Sequence, residues 1–249
     1  MTGISFCITT SGSNDVELQQ VIDSIVALNI PKYEVLFVGG LTTTIETTER
    51  IKHVPFDEDQ KTHIIVAGMP GRWTTRKKNL AVELSQYEIC IIQHDHTVFD
   101  PNWYIEFEKF GTHWDICVHQ HLMYNGARGS GWRVDAFPGL PRGCMIPYDI
   151  DAFVPFMGIQ GNYACVKRTR WLEEPLDENR LWGQAEDMEW SKRVISKFHI
   201  RCNPNCIIKN TKPTQWDDRH LQVDMQVMNA NAAYFDAIRA TQMRNFNLR

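Results

Sequence analysis

The chain has 249 residues, 43% of them hydrophobic, and 26 basic against 30 acidic side chains give a formal charge of −4. That length and apolar share suit one large α/β domain with a sizeable core, and the missing basic footprint argues against nucleic acid as a main partner. No stretch is long and apolar enough to span a bilayer, and the N-terminus MTGISFCITT enters a strand directly without a signal-type segment, so the expected location is cytoplasmic.

Gly3 to Thr10 reads as a first strand ending in a small polar loop. Asn14 or Ser13 is placed to cap the helix behind it, whose apolar positions from Val16 to Leu28 keep helical spacing until Pro31 stops it. Tyr33 to Val38 is a second strand closed by Gly39-Gly40; Thr42 to Ile51 reads as a short helix and Thr62 to Ala67 as a third strand, with a break from Gly68 to Gly71. Trp73 to Leu84 is helical by pattern and carries Arg76, Lys77, Lys78 and Asn79. The fourth strand, Ile89 to Ile92, is an unbroken apolar run, the mark of a central strand covered on both faces. It ends abruptly in Gln93-His94-Asp95-His96, at the carboxyl edge where ligands of open α/β sheets gather. Strand and helix alternating at this spacing imply right-handed crossovers and a parallel sheet with helices on both sides.

Past Pro101 the rhythm changes. Trp103 to Phe110 looks helical, and Asp115 to Met123 is a strand carrying His119 and His121. Tyr124 to Met145 has no periodicity and reads as a long loop over the ligand edge, with Trp132 and Phe137 among its aromatics. Phe153 to Val166 holds a Gly-punctuated turn before a short strand, and Trp182 to Lys197 reads as loop then helix, with Glu186-Asp187 in its first turn, where acids favour the macrodipole. His199 to Ile208 is a last strand interrupted by Asn203-Pro204-Asn205. Leu221, Met225, Met228, Ala232, Phe235, Ile238 and Phe246 stripe one face of a long C-terminal helix, a packing surface for its own domain or for a second copy of the chain. The seven cysteines are dispersed, and Cys202 and Cys206 have no second pair near them, so reduced thiols are expected rather than a structural zinc site.

Three clusters carry candidate chemistry. Arg76, Lys77 and Lys78 suit phosphate oxygens; His94, Asp95 and His96 offer imidazole and carboxylate to a divalent cation; Glu186-Asp187 offers a general base beside them. Each also has an ordinary reading, as a solvated helix face, a polar loop, and helix N-terminal electrostatics.

Their order and spacing resemble the GT-A nucleotide-sugar glycosyltransferases, particularly the family 2 group. The segments that carry the resemblance are CITTSGSND after the first strand, TRKKNLAVELSQYEICIIQHDHTVFDPNW across the basic helix and central strand, and FMGIQGNYACVKRTRWLEEPLDENRLWGQAEDMEWSKRV, in which Gly158, Gly161, Trp182, Gly183, Glu186, Asp187 and Arg193 fall in register. It covers about residues 3 to 208. The resemblance implies a GT-A, Rossmann-like, mostly parallel sheet flanked by helices, with a nucleotide-binding half over 1–100, an acceptor-side half over 101–215 and a C-terminal helical appendage over 216–249. It implies a transferase moving a sugar from a nucleotide-diphosphate donor to an acceptor hydroxyl, inverting, with Asp187 as base and Glu186 shaping the acceptor pocket. Donor contacts would fall on Thr9, Thr10, Gly39, Arg76, Lys78, Asn79, His94, Asp95, Gly161 and Trp182, and Mn²⁺ or Mg²⁺ on Asp95 and His96. The acceptor, a glycan, lipid or protein, is not named.

The chain departs from the family at instructive places. Matched on Pro101, the two acids of the D-x-D metal motif become His94 and His96, with Asp95 between them. The second-strand acid is replaced by Gly39-Gly40, and the later metal-ligand histidine falls near Lys209-Asn210, with His220 some way downstream. A lysine there would neutralise a diphosphate without metal. Two rival readings follow: a GT-A module that binds nucleotide without catalysis, and a hydrolase whose two metals are held by His94, His96, His119 and His121.

Overall fold

The computed structural model describes residues 2–40, 42, 44–129, 131–134 and 157–213, with isolated positions 145, 147, 148, 154, 233 and 237. The C-terminal stripe, His220, Phe137 and most of the second half of the 124–145 loop lie outside the described residues. In chain order the elements are β1 (Ile4–Thr9), α1 (Asp15–Ala27), β2 (Tyr33–Gly39), β3 (Ile51–Pro55), β4 (Ile65–Val66), β5 (Met69–Pro70), α2 (Thr74–Leu84), β6 (Ile89–His94) and β7 (Thr97–Phe99). There follow α3 (Trp103–Phe110), β8 (Ile116–Leu122), β9 (Arg133–Val134), β10 (Met157–Gly158), β11 (Tyr163–Lys167), α4 (Arg168–Glu173), α5 (Glu186–Val194) and β12 (Ile200–Asn210). Among the described residues no helix is long and apolar enough to cross a membrane.

Eight strands form one mixed, mostly parallel sheet in the order β3-β2-β1-β6-β11-β8-β12-β7. Strands β3, β2, β1 and β6 run parallel, as do β8 and β12; β11 runs antiparallel to both β6 and β8. Side chains alternate across the sheet as strand geometry dictates. Phe6, Ile8, Ile89 and Ile91 pack with α1 and with Trp103 and Phe107 of α3, whereas Cys7, Cys90 and Ile92 pack on the other face with α2, Trp171 of α4 and Trp190 of α5. Two separate apolar layers therefore hold β6 from both sides, each buried large side chain contributing roughly 1.5–3 kcal/mol. The six described cysteines are all buried.

Two expectations between β2 and α2 are corrected. The stretch expected to be a short helix from Thr42 leads instead into β3, which pairs parallel to β2 from Val35↔Ile51 to Gly39↔Pro55. Its sequence, IKHVP, hides it: an edge strand carries charge and tolerates a terminal proline, so it lacks the apolar signature of a central one. The expected third strand is only the two-residue β4, paired with β5 outside the main sheet. Ala67 (φ 51°) and Gly68 (φ 81°) both adopt left-handed backbone, as a tight two-residue hairpin turn requires, and Ile65 is 64% exposed, so this apolar run builds no core. Strand β12 keeps the anticipated interruption as a register shift between Asn203 and Ile207.

The end of β2 approaches the loop after β1 so closely that side chains are excluded. A Cβ on Gly39 would lie 2.0 Å from the Thr10 carbonyl oxygen, and one on Gly40 2.8 Å from that of Ser11. Gly39→Ala is accordingly expected to cost about 2–3 kcal/mol, since overpacking against backbone has no flexible group to yield. Urea unfolding should show it as a lowered midpoint at constant slope; an unchanged midpoint would mean that the two segments part without penalty.

Candidate active site

Strands β1, β2 and β6 end at one edge of the sheet, and their registers place Thr9 beside both Val38 and His94. The antiparallel β11 starts at that same edge, Tyr163 opposite Gln93, so the turn before it, Gln160 to Asn162, arrives next to the end of β6. The His94 amide donates to the Asn162 carbonyl at 3.2 Å. Helix α5 then brings Glu186 and Asp187 up against that turn.

The basic helix α2 divides its charges by helical geometry. Arg76 and Asn79, three residues apart on one face, both bond Glu178 Oε1, each at 3.0 Å. Arg76 also bonds Glu83 at 2.8 Å. Asn79 donates to the Leu176 carbonyl (2.9 Å) and accepts from the Trp171 indole (3.0 Å) and the Leu176 amide (3.1 Å), so its amide latches α2 to the segment after α4. Lys77 and Lys78, rotated toward the sheet edge, are buried. Lys77 Nζ bonds the Thr10 carbonyl (2.8 Å) and both oxygens of Glu58 (2.8 and 3.0 Å), while Lys78 Nζ bonds the Gly161 carbonyl. Burial draws the Lys78 ammonium below its ordinary pKa, against the opposing pull of Glu186 and Asp187.

Gly161 is where these groups meet. Its carbonyl takes Lys78, and its N–H donates to Asp187 Oδ2 at 3.0 Å. A Cβ there would sit 3.0 Å from that of Asp187, so any larger residue presses on the carboxylate. The other oxygen, Asp187 Oδ1, accepts the Met188 N–H at 2.9 Å. Glu186 is buried beside it, and desolvation raises its pKa although the charge of Lys78 opposes the shift. The approach to α5 is bent by left-handed backbone at Gly183 (φ 84°) and Ala185 (φ 55°). Trp182 hangs its amide on the Arg72 carbonyl (3.0 Å) and lies under the Arg72 guanidinium, 5.5 Å from the ring centre. Arg193 bonds Glu189 (2.6 Å) and the Pro175 carbonyl (2.8 Å), bracing the helix rather than the edge. A small cavity lies among Lys78, Gln160, Gly161, Glu186, Asp187 and Trp190.

The His94-Asp95-His96 turn is organised differently from expectation. Asn14, expected as a helix cap, makes no capping bond; its side chain donates to Asp95 Oδ2 at 3.1 Å. His96 Nδ1 lies 3.2 Å from Asp95 Oδ1. Burial works to raise the Asp95 pKa, but hydrogen bonds from His96, Thr10 and Asn14 outweigh it and hold the carboxyl below its ordinary range. His94 is pressed the other way: burial first, then the charges of Lys78, His96, Lys77 and Arg72, keep its imidazole neutral well below its ordinary pKa.

The later strands use their polar groups internally. Asn210 is buried and takes His121 Nε2 at 2.9 Å, and Thr211 N–H reaches the His96 carbonyl at 2.9 Å, while Lys209 is exposed. His119 is buried against Trp103 and Tyr163, and His121 also faces Gln160 Oε1 at 3.1 Å. The histidine pairs therefore do not converge on a two-metal centre. Sequence reasoning missed Arg72, Asn14 and the inward turn of Lys77. The last was accessible from the rotation of about 100° per helical residue, which separates Arg76 from its neighbours.

No protein-family model and no curated protein sequence matches the chain. Solved structures do. A crystal structure of Staphylococcus aureus TarS residues 1–349 matches with a TM-score of 0.56 at 12% identity, covering 96% of this chain and 69% of that one. The same TarS segment in complex with UDP-GlcNAc gives 0.57 at 11% identity, covering 96% and 71%. GalNAc-T7 with UDP, GalNAc and Mn²⁺ gives 0.62 at 13% identity, and the chain, 86% covered, spans only 44% of its length. These are glycosyltransferases of GT-A-like fold, and that fold is the one this chain has.

The residues here do not fit a bound divalent cation well. Among the described residues no group of three or more His, Cys, Asp or Glu side chains is gathered to hold a metal. Asp95, the one carboxylate of the turn, is 5% exposed and occupied by Asn14, Thr10 and His96, and the groups around His94 are cationic. A carboxylate turned inward and a positively charged surround both oppose a second cation.

Proposed function

We propose that the chain transfers a sugar from a nucleotide-diphosphate donor to an acceptor hydroxyl. The observation that carries this reading is the Gly161 turn. One residue, Gly161, binds the Asp187 carboxylate through its N–H and the Lys78 ammonium through its carbonyl, at the edge where β1, β2 and β6 end. The donor diphosphate lies on the side of Thr9, Thr10, Lys78 and His94, and the acceptor on the side of α5. The acceptor oxygen attacks the anomeric carbon as the bond to the diphosphate oxygen breaks, and the hydroxyl proton passes to Asp187. Direct displacement inverts the anomeric centre. Glu186, next along the helix and less ready to ionise because it is buried, shapes the acceptor pocket.

The solved structures named above support the reading through shared fold, and the UDP and UDP-GlcNAc of two of them support a uridine donor as the first to try. The test is a panel of nucleotide-sugars offered to the purified protein, followed by melting temperature and by release of free nucleoside diphosphate. At least one donor should raise the melting temperature by several degrees and be hydrolysed slowly, as mass action on a bound donor requires. Stabilisation without release by any donor would favour the binding module; neither response to any of them sinks the reading.

A further inference from the structure

One ring nitrogen at the centre of this edge is buried with no hydrogen-bond partner among the described residues: Nε2 of His94. Buried polar atoms are nearly always paired, so an orphan at the carboxyl edge of the sheet points to a place completed by a ligand. Its surroundings say which kind. Lys78, 2% exposed, reaches the Gly161 carbonyl, and the next peptide, Asn162, takes the His94 amide, so ammonium and imidazole flank one turn. Arg72, held over the Trp182 ring, and Lys77 add charge that acts on the same imidazole.

Carboxylates face these cations too. Lys77 is paired with Glu58, and the charges of Glu186 and Asp187 act on Lys78 from α5. Asp95, which could have drawn a metal ion in, is bound by Asn14 and His96.

Resting on the glycosyltransferase reading, we infer that this chain binds and neutralises the donor diphosphate without a divalent cation, using Lys78, Arg72 and the Nε2–H of His94. A desolvated ammonium acts on phosphate oxygens more strongly than an exposed one, because the surrounding medium screens it less. The guanidinium adds directed, charge-assisted hydrogen bonds. The imidazole contributes a neutral donor. Asp95 then serves as a positioning residue that fixes the turn between the β1 loop and His96, not as a ligand.

The test is calorimetric titration of the whole protein with UDP, GDP, CDP, ADP and dTDP, in EDTA and again with Mn²⁺. The inference expects the preferred diphosphate to bind with affinities within about threefold of each other in the two conditions, as an unchanged site gives the same constant. Binding that appears only with Mn²⁺, or tightens by more than about thirtyfold, overturns it while leaving the glycosyltransferase reading standing. Absence of binding in both conditions overturns the two together. In EDTA, Lys78→Met should weaken binding at least about tenfold and Lys78→Arg should recover most of it; a Lys78→Met protein that binds as wild type overturns the inference. Should Lys78→Met fail to fold, His94→Gln and Arg72→Gln carry the same comparison, each expected to lose about five- to tenfold, and wild-type affinity in both overturns it.

Discussion

Asp187→Asn is expected to lower turnover by about 10³-fold while leaving nucleotide affinity within about twofold, the span that a positioned general base commonly contributes. Asparagine keeps the shape, and its amide oxygen can still accept the Gly161 N–H that now bonds Oδ2 at 3.0 Å, with the loss of the Met188 N–H bond that Oδ1 now accepts at 2.9 Å. What it lacks is the basic oxygen to which the proposed mechanism passes the acceptor proton. The substitution therefore separates chemistry from architecture: the melting temperature should stay close to wild type, and donor binding, proposed on the Lys78 side of Gly161, should be retained. Steady-state kinetics with the donor found by the screen, alongside calorimetry, checks both halves. Activity close to wild type would remove Asp187 from the mechanism and point to Glu186. If binding falls together with turnover, Asp187 acts through the Gly161 turn and not as the base.

The second large effect is on folding in acid. His119 is fully buried, and desolvation lowers its pKa from the ordinary 6.5 to about 3. The tautomer follows from its neighbours: the Trp103 indole can only donate, at 3.3 Å to Nδ1, and Tyr163 Oη stands 2.6 Å from the same atom. Nδ1 is thus the acceptor and the proton is on Nε2, buried without a partner among the described residues. Protonating Nδ1 would break the Trp103 bond, turn the Tyr163 hydroxyl from donor to acceptor, and leave a charge in the layer between α3 and the sheet. Because the folded value is the lower one, the unfolded chain binds the extra proton first. The stabilisation is present above pH 6.5, shrinks as the pH falls toward 3, and is on the order of 5 kcal/mol in all. About 2 kcal/mol of it should be lost between pH 7 and pH 5. Urea unfolding at the two pH values, on wild type and His119→Gln, makes the comparison; His94, shifted in the same direction, contributes to both proteins alike. Parallel losses in the two proteins would show that His119 is not the sensitive group.

The legible parts of the sequence were those with strong periodicity. The apolar run of β6 and the stripe of α1 declared themselves because both are buried by neighbours on the expected side. Strand β3 did not, because an edge strand is free to carry Lys52, His53 and Pro55. The site was legible as a set of motifs but not as a set of contacts. RKKN placed four polar residues on one helix, yet only the rotation of the helix against the sheet decides that Lys77 and Lys78 reach the edge while Arg76 and Asn79 tie down Glu178. Likewise Asn14 resembles a cap in any local reading, and only the parallel pairing of β1 with β6 brings Asp95 within its reach.

Strand β11 lies antiparallel between β6 and β8, with Tyr163 opposite Gln93 and Lys167 opposite Ile89. Its hydrogen-bond ladder acts as a ruler. The gap between the end of β6 and the turn that grips Asp187 is measured in whole residue steps of roughly 3.3 Å, not by side-chain packing that could relax. Chain length added or removed within β11 would invert every side chain along it or move the turn by a two-residue step of nearly 7 Å. Variation between Met123 and Met157, by contrast, leaves that ladder untouched. The spacing between the end of β6 and Asp187, which the proposed reaction needs between donor and base, is therefore set by the sheet itself.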